Sequence, residues 1–224
     1  MFKKKPQTPE LPSTIDMAPC PEAGDILLCA GQGSLSKRIA KFQKFFTRAS
    51  QQEAAVTHAA RVFGGTSSYA LMVMESTTLN TIDGEARRGV QINPFLRWLA
   101  AYNGQVYLKK LSFERTVLYH IKENAFWTEH KDRPYENGIP GAMELFLCGL
   151  QFNTTIKHFF PDWKPRPTTE PHCTELVGAN LEYHNHLTDQ FFREHSLNRL
   201  PPWFWVHRID KYLTPPVSPL IRLK

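Results

Sequence analysis

Apolar residues along the chain follow two different periods, and the switches between them outline the elements. Ile26-Leu27-Leu28-Cys29-Ala30, opened by Gly24-Asp25, is a short and wholly apolar run that predicts a buried strand. From Ser34 to Phe46 the apolar positions Leu35, Ile39, Phe42 and Phe46 fall at helical spacing. Two strand candidates follow, Ala55 to Phe63 and Tyr69 to Glu75, joined by the hairpin-type connection Gly64-Gly65-Thr66-Ser67-Ser68. Beyond a polar loop from Ser76 to Arg88, Val90-Gln91-Ile92 alternates like a strand. Asn93 and Pro94 then give the N-cap and first-turn signature of a helix reaching Tyr102. Gln105 to Leu111 reads as another strand, and Ser112 caps a helix towards His130 with Val117, Leu118, Ile121 and Ala125 on one face. Ala142 to Phe152 reads as a second buried helix, and no internal repeat is visible. The predicted fold class is α+β.

Prolines bracket this pattern. Pro6, Pro9, Pro12, Pro19 and Pro21 make residues 1–22 an extended N-terminal arm, and Pro201-Pro202, Pro215-Pro216 and Pro219 make 201–224 a Pro-rich tail. The body between them is one domain, 23–200.

Composition narrows the classes. At 42% hydrophobic and 12% aromatic the 224 residues suffice for a core, which excludes a disordered or collagen-like chain. No apolar stretch approaches the roughly 20 residues that cross a bilayer. The start, Met1-Phe2-Lys3-Lys4-Lys5-Pro6, lacks the apolar segment of a leader, so the expected location is cytoplasmic. The net charge of +6 suits an anionic partner, but only Lys3-Lys4-Lys5 forms a basic cluster and no nucleic-acid motif accompanies it. Cys20, Cys29, Cys148 and Cys173 form no Cys-x-x-Cys pair or disulfide framework, and reduced thiols leave room for a catalytic one.

Cys173 is the thiol placed for chemistry. The stretch Pro165 to His172 is punctuated by proline, whereas Thr174 to Leu181 carries Leu176, Val177 and Asn180 on one helical stripe. The thiol therefore falls at a helix N-terminus, where unpaired N–H groups and the macrodipole favour a thiolate. The plainer alternative is a buried Cys packing as a small hydrophobe, which fits Cys29 and Cys148 better. A nucleophilic Cys needs a base and a group to orient it. His58 interrupts the strand-like Ala54 to Ala60, and the next strand ends at Glu75. With a hairpin loop of Gly65 to Ser68, position 58 pairs with 75 and both side chains share a face. The competing readings are a satisfied core histidine and a solvated strand end. His172, Cys173, His184, His186 and His195 offer a metal alternative, but their spacing fits no zinc template, and a helix would turn His184 and His186 to different sides. No metal or cofactor is expected.

These residues, in their order, also resemble a family. Gly24-Asp25-Ile26-Leu27, Ser36-Lys37, Thr57-His58, Met74-Glu75-Ser76, Arg133-Pro134-Tyr135-Glu136 and His172-Cys173-Thr174-Glu175-Leu176-Val177 are similar to the circularly permuted papain-like amidases, the YiiX-like branch of the NlpC-type cysteine hydrolases. The likeness spans roughly 23 to 185; the segment Thr47 to Glu53 and both arms depart from it. It implies a permuted papain-like fold, a small antiparallel sheet packed against helices. It also implies Cys173 as nucleophile, His58 as base, Glu75 as orienting group and Tyr135 lining the substrate site.

The function expected is therefore a cysteine peptidase or amidase acting on an amide, with bacterial cell-wall (peptidoglycan) peptides as the first substrate class. One alternative hydrolyses or transfers a lipid or thioester acyl group at the same site, with Trp203-Phe204-Trp205 meeting acyl chains or, more plainly, packing in the core. Another is a structural subunit whose Pro-rich arms clasp a larger assembly such as a phage particle.

Overall fold

The computed structural model describes residues 20–46, 49–64, 71–77, 89–134, 173–195, 197 and 200–224. Strand β1 (Ile26–Gly31) is central in a six-stranded antiparallel sheet of order β4-β3-β2-β1-β5-β6. Its unbroken apolar run reflects burial on both faces. Ile26 and Leu28 enter one core cluster, while Leu27 and Cys29 enter the other.

The neighbours are β2 (His58–Gly64), β3 (Leu71–Thr77), β4 (Gly89–Pro94), β5 (Gly104–Lys109) and β6 (Ile221–Arg222). β2 starts three residues later than its apolar pattern predicts. Helix α1 (Ser34–Phe46) is followed by a short α2 (Gln51–Ala55), which takes the beginning of that run. Its cause is local: Ser50 and Glu53 form a reciprocal capping box, with Ser50 N–H donating to Glu53 Oε2 at 2.7 Å. β3 likewise runs two residues beyond Glu75. Helix α3 (Phe95–Ala101) starts one residue later than predicted, because Pro94 is still paired with Met72 in β4.

Helix α4 (Val117–His130) opens at Thr116, whose hydroxyl accepts from Tyr119 N–H at 3.1 Å. It is turned over relative to its expected face. Val117, Leu118 and Ile121 are 77%, 60% and 60% exposed, and Ala125 is exposed too. Tyr119, Glu123, Phe126 and Trp127 form the inward stripe on the opposite side. Aromatic area outweighs branched aliphatic side chains here. The charged member, Glu123, is accommodated by a hydrogen bond from Asn180 Nδ2 at 3.0 Å and a second, short one from His184.

Helix α5 (Cys173–Tyr183) packs on β2 and β3, with Leu176 against Phe63 and Met74 and with Val177 and Leu181 in the largest cluster. Much of that cluster comes from a segment that prolines mark as tail. Trp203, Phe204, Trp205, Val206, Ile209 and Tyr212, from helix α7 (Phe204–His207) and the following 3₁₀ turn, are all at most 2% exposed. Helix α6 (Asp189–Glu194) adds Phe191. Residues 201–224 are thus part of the body: prolines erase periodicity without preventing burial. Lys109 ties them to the sheet, its buried ammonium donating to Val206 O at 2.6 Å and, in a short contact, to Asp210. The helix expected over Ala142 to Phe152, with Cys148, and the arm 1–19 lie outside the described residues. No helix among the described residues is long and apolar enough to cross a membrane.

Candidate active site

Three elements converge at the start of β2. The strand offers His58 as its first residue, β3 offers Glu75 near its end, and α5 offers Cys173 at its N-terminus. The β2–β3 register pairs Arg61 with Met74, which puts Ala60 opposite Glu75, two residues from the pairing drawn from a short loop. A two-residue displacement preserves the face. His58 and Glu75 are diagonal neighbours, and His58 Nε2 lies 2.8 Å from Glu75 Oε2. Because an ionised carboxylate only accepts, Nε2–H is the donor, and Nδ1 remains as the nitrogen for the thiol.

The thiol sits within hydrogen-bonding reach of that imidazole. Cys173 is 7% exposed, and burial alone works against a thiolate; the positive imidazole of His58, its hydrogen bond, and the Ala59 and Thr174 N–H groups outweigh it and hold the thiol below its ordinary range. Burial also disfavours the imidazolium, but the thiolate and then the Glu75 carboxylate push the His58 pKa up to about 10. Both directions have the same cause: each charged form favours the other, and the Glu75 carboxylate adds to the pull on the imidazole.

Behind the pair lies a layer invisible to sequence spacing. Cys29 stands opposite His58 in the β1–β2 ladder and accepts a hydrogen bond from the Tyr102 hydroxyl at the end of α3. Burial, Glu75 and Cys173 push the Cys29 thiol well above its usual range, so it stays neutral. Tyr102 is raised as well, chiefly by burial. Lys224 fixes the Tyr102 end of α3, donating to the carbonyls of Leu99, Ala100 and Tyr102 at 3.1, 2.9 and 2.7 Å. Only the register, which no single residue reveals, could have linked Cys29 to His58.

Of the histidines gathered by the metal alternative, His195 stands apart. His184 and His186, expected on different sides of a helix, come together with ring centroids 5.7 Å apart, because the helix ends at Tyr183. His184 bonds Glu123, whereas His195 Nε2 meets the Tyr212 hydroxyl at 2.8 Å in another part of the core. His186 stacks near Tyr119, and burial, then Arg61, pulls its pKa down to about 4. Among the described residues no three His, Cys, Asp or Glu side chains are grouped to hold a metal ion. Tyr135 and His172 lie outside the described residues.

No family model matches the chain, and no curated protein does. Among solved structures, the crystal structure of metalloprotein yiiX from Escherichia coli O157:H7 is similar at 15% identity and a TM-score of 0.44, over 72% of this chain. The chain spans 65% of that structure's length.

Proposed function

We propose that the chain is a cysteine hydrolase that cleaves an amide bond through Cys173, His58 and Glu75. The observation that carries this reading is the continuous hydrogen-bonded line from thiol to imidazole to carboxylate, with the thiol at a helix N-terminus. In this mechanism the Cys173 proton passes to His58 Nδ1 and the thiolate attacks the carbonyl carbon. Backbone N–H groups at the start of α5 stabilise the tetrahedral oxyanion. The imidazolium returns its proton to the leaving amine, giving a thioester on Cys173. Water, deprotonated by His58, then releases the acid and restores the thiol. Glu75 holds the Nε2–H tautomer throughout.

Peptidoglycan stem peptide is the substrate class proposed first, on the resemblance set out in the sequence. A lipid or thioester acyl group loses its sequence ground, because Trp203, Phe204 and Trp205 are core side chains at 1%, 2% and 0% exposure. The test incubates the full chain with purified stem peptides and follows new amine groups together with the mass of the Cys173 peptide. New amines with a transient acyl adduct on Cys173, both abolished in Cys173→Ala and reduced about 10²–10⁴-fold in His58→Ala, support the proposal. Cleavage that survives Cys173→Ala would sink it.

A further inference from the structure

The surplus positive charge of this chain has a location. Between Asp25 and Glu53 there is no acidic residue, while Lys37, Arg38, Lys41, Lys44 and Arg48 supply five cations. Removing these five from the 27 basic residues leaves 22 against 21 acidic ones, so the rest of the molecule is balanced. In sequence the lysines look scattered. Helix α1 gathers four of the cations: Lys37, Arg38, Lys41 and Lys44 fall within roughly 120° of one another at 100° per residue. All four are exposed. None pairs with a carboxylate among the described residues, and the nearest acid along the chain, Glu53, is turned into its own capping box.

The orientation of this face is fixed from behind. Gln43, on the opposite side and 3% exposed, donates to Ala54 O and Val56 O, each at 2.9 Å, and accepts from Trp203 N–H at 3.4 Å. Phe45 falls within the cationic stripe, between Lys41 and Arg38 at 100° per residue, and is 79% exposed. An aromatic side chain held outward among lysines is costly in water and favourable at a bilayer interface. There the ring sinks below the phosphates while the lysine stems reach up to them.

We propose that the outer face of α1 docks this protein on an anionic phospholipid surface. Three of its four cations are lysines, compact point charges suited to a field of headgroups, not the bidentate arginines that read base edges. The helix extends about 20 Å for its 13 residues, a straight convex rod that lies on a plane. It begins three residues after β1 ends at Gly31, whose N–H donates to Thr57 beside His58. Docking would therefore hold the thiol end of the sheet next to the bilayer. The inference does not depend on the thiol being reactive.

The test is sedimentation of the full-length protein with vesicles of phosphatidylglycerol and phosphatidylcholine, against vesicles of phosphatidylcholine alone. The protein is expected to bind the anionic vesicles, to be released as salt rises, and to ignore the neutral ones. Each cation removed should weaken binding about fivefold, so K41Q/K44Q should lose about 25-fold. Phe45→Ser should lose severalfold, whereas Lys122→Gln, on the exposed side of α4, should bind as wild type. Unchanged circular dichroism and Cys173 labelling establish that the α1 variants are folded. Retained binding by K41Q/K44Q or by Phe45→Ser overturns the proposal. So does equal loss in Lys122→Gln, which would make the effect one of net charge alone. Absence of vesicle binding overturns it too, and tight binding of duplex DNA in its place would assign the face to nucleic acid.

Discussion

Replacing His58 by alanine should move the ionisation of Cys173 past that of a free thiol. In the native site burial raises the thiol pKa, and the imidazolium more than compensates. A charge-assisted hydrogen bond is worth about 1.5–3 kcal/mol, and at about 1.4 kcal/mol per pKa unit its loss raises the thiol by roughly one to two units. The sign follows from the charges: removing a cation disfavours the thiolate, so the half-point moves to higher pH. With the side chain still 7% exposed, the burial penalty then stands opposed only by the Ala59 and Thr174 N–H groups. The half-point should therefore exceed the roughly 8.5 of a free cysteine. The assay is the rate of alkylation by iodoacetamide from about pH 4 to 10, read residue by residue from peptide masses. Cys20, a free and exposed cysteine, is read in the same sample for comparison. Glu75→Gln, which keeps a neutral hydrogen bond to the ring, should give a smaller upward shift of about one unit or less. Wild-type labelling of Cys173 that tracks Cys20, or a half-point indifferent to His58, would refute the ion pair and leave a structural thiol.

Three further outcomes test the packing. Trp205→Ala, at 0% exposure in the largest cluster, should cost about 3–5 kcal/mol in urea unfolding; a cost under about 1 kcal/mol would return the segment to the status of a tail. On α4, Ile121→Lys should change stability by no more than about 0.5 kcal/mol, while Phe126→Ala should cost about 3 kcal/mol or more. Equal costs would mean the helix is rotated. Lys109→Ala strands Asp210 and the Val206 carbonyl and should destabilise by about 3 kcal/mol; Lys109→Met, which fills the same volume without a charge, should recover part of that in thermal melts. If the Met variant is as unstable as the Ala variant, the stem's packing contributes nothing and the whole cost belongs to the ammonium's contacts.

Much of the sheet is legible in the chain because β1 to β5 are runs whose composition leaves little choice. The His58–Glu75 contact is legible for a subtler reason. Parity of register puts both side chains on one face, and an error of two residues leaves parity intact. Where polar and apolar residues exchange their usual roles, the pattern misleads. Glu123 sits on the buried stripe of α4 while Ile121 faces solvent, because Asn180 of α5 and His184 just beyond it both donate to Glu123 Oε2. Arg61 is fully buried beside Tyr119, and nothing along β2 marks it. The tail-like 201–224 shows that proline density reports local backbone freedom, while burial is decided by Trp203, Trp205 and their neighbours.

The order in which these parts occur along the chain sets a schedule for their appearance during synthesis. His58 and Glu75 leave the ribosome together, but Cys173 follows Glu75 by 173 − 75 = 98 residues. At about 5–20 residues per second, that is an interval of roughly 5–20 s. Strands β1, β2 and β3 can pair within it, since their ladder partners are one another, although Ile26, Leu28 and Ala59 wait for the C-terminal segment to cover them. A nascent chain therefore carries the imidazole, its carboxylate and the Cys29 thiol opposite His58, but not Cys173. The helix that brings the thiol has its main packing surface completed later still, by residues 200–213. Chains that stall or are cleaved before that point lack the packing that seats Cys173, so of His58, Glu75 and Cys173 it is the last to enter the folded protein.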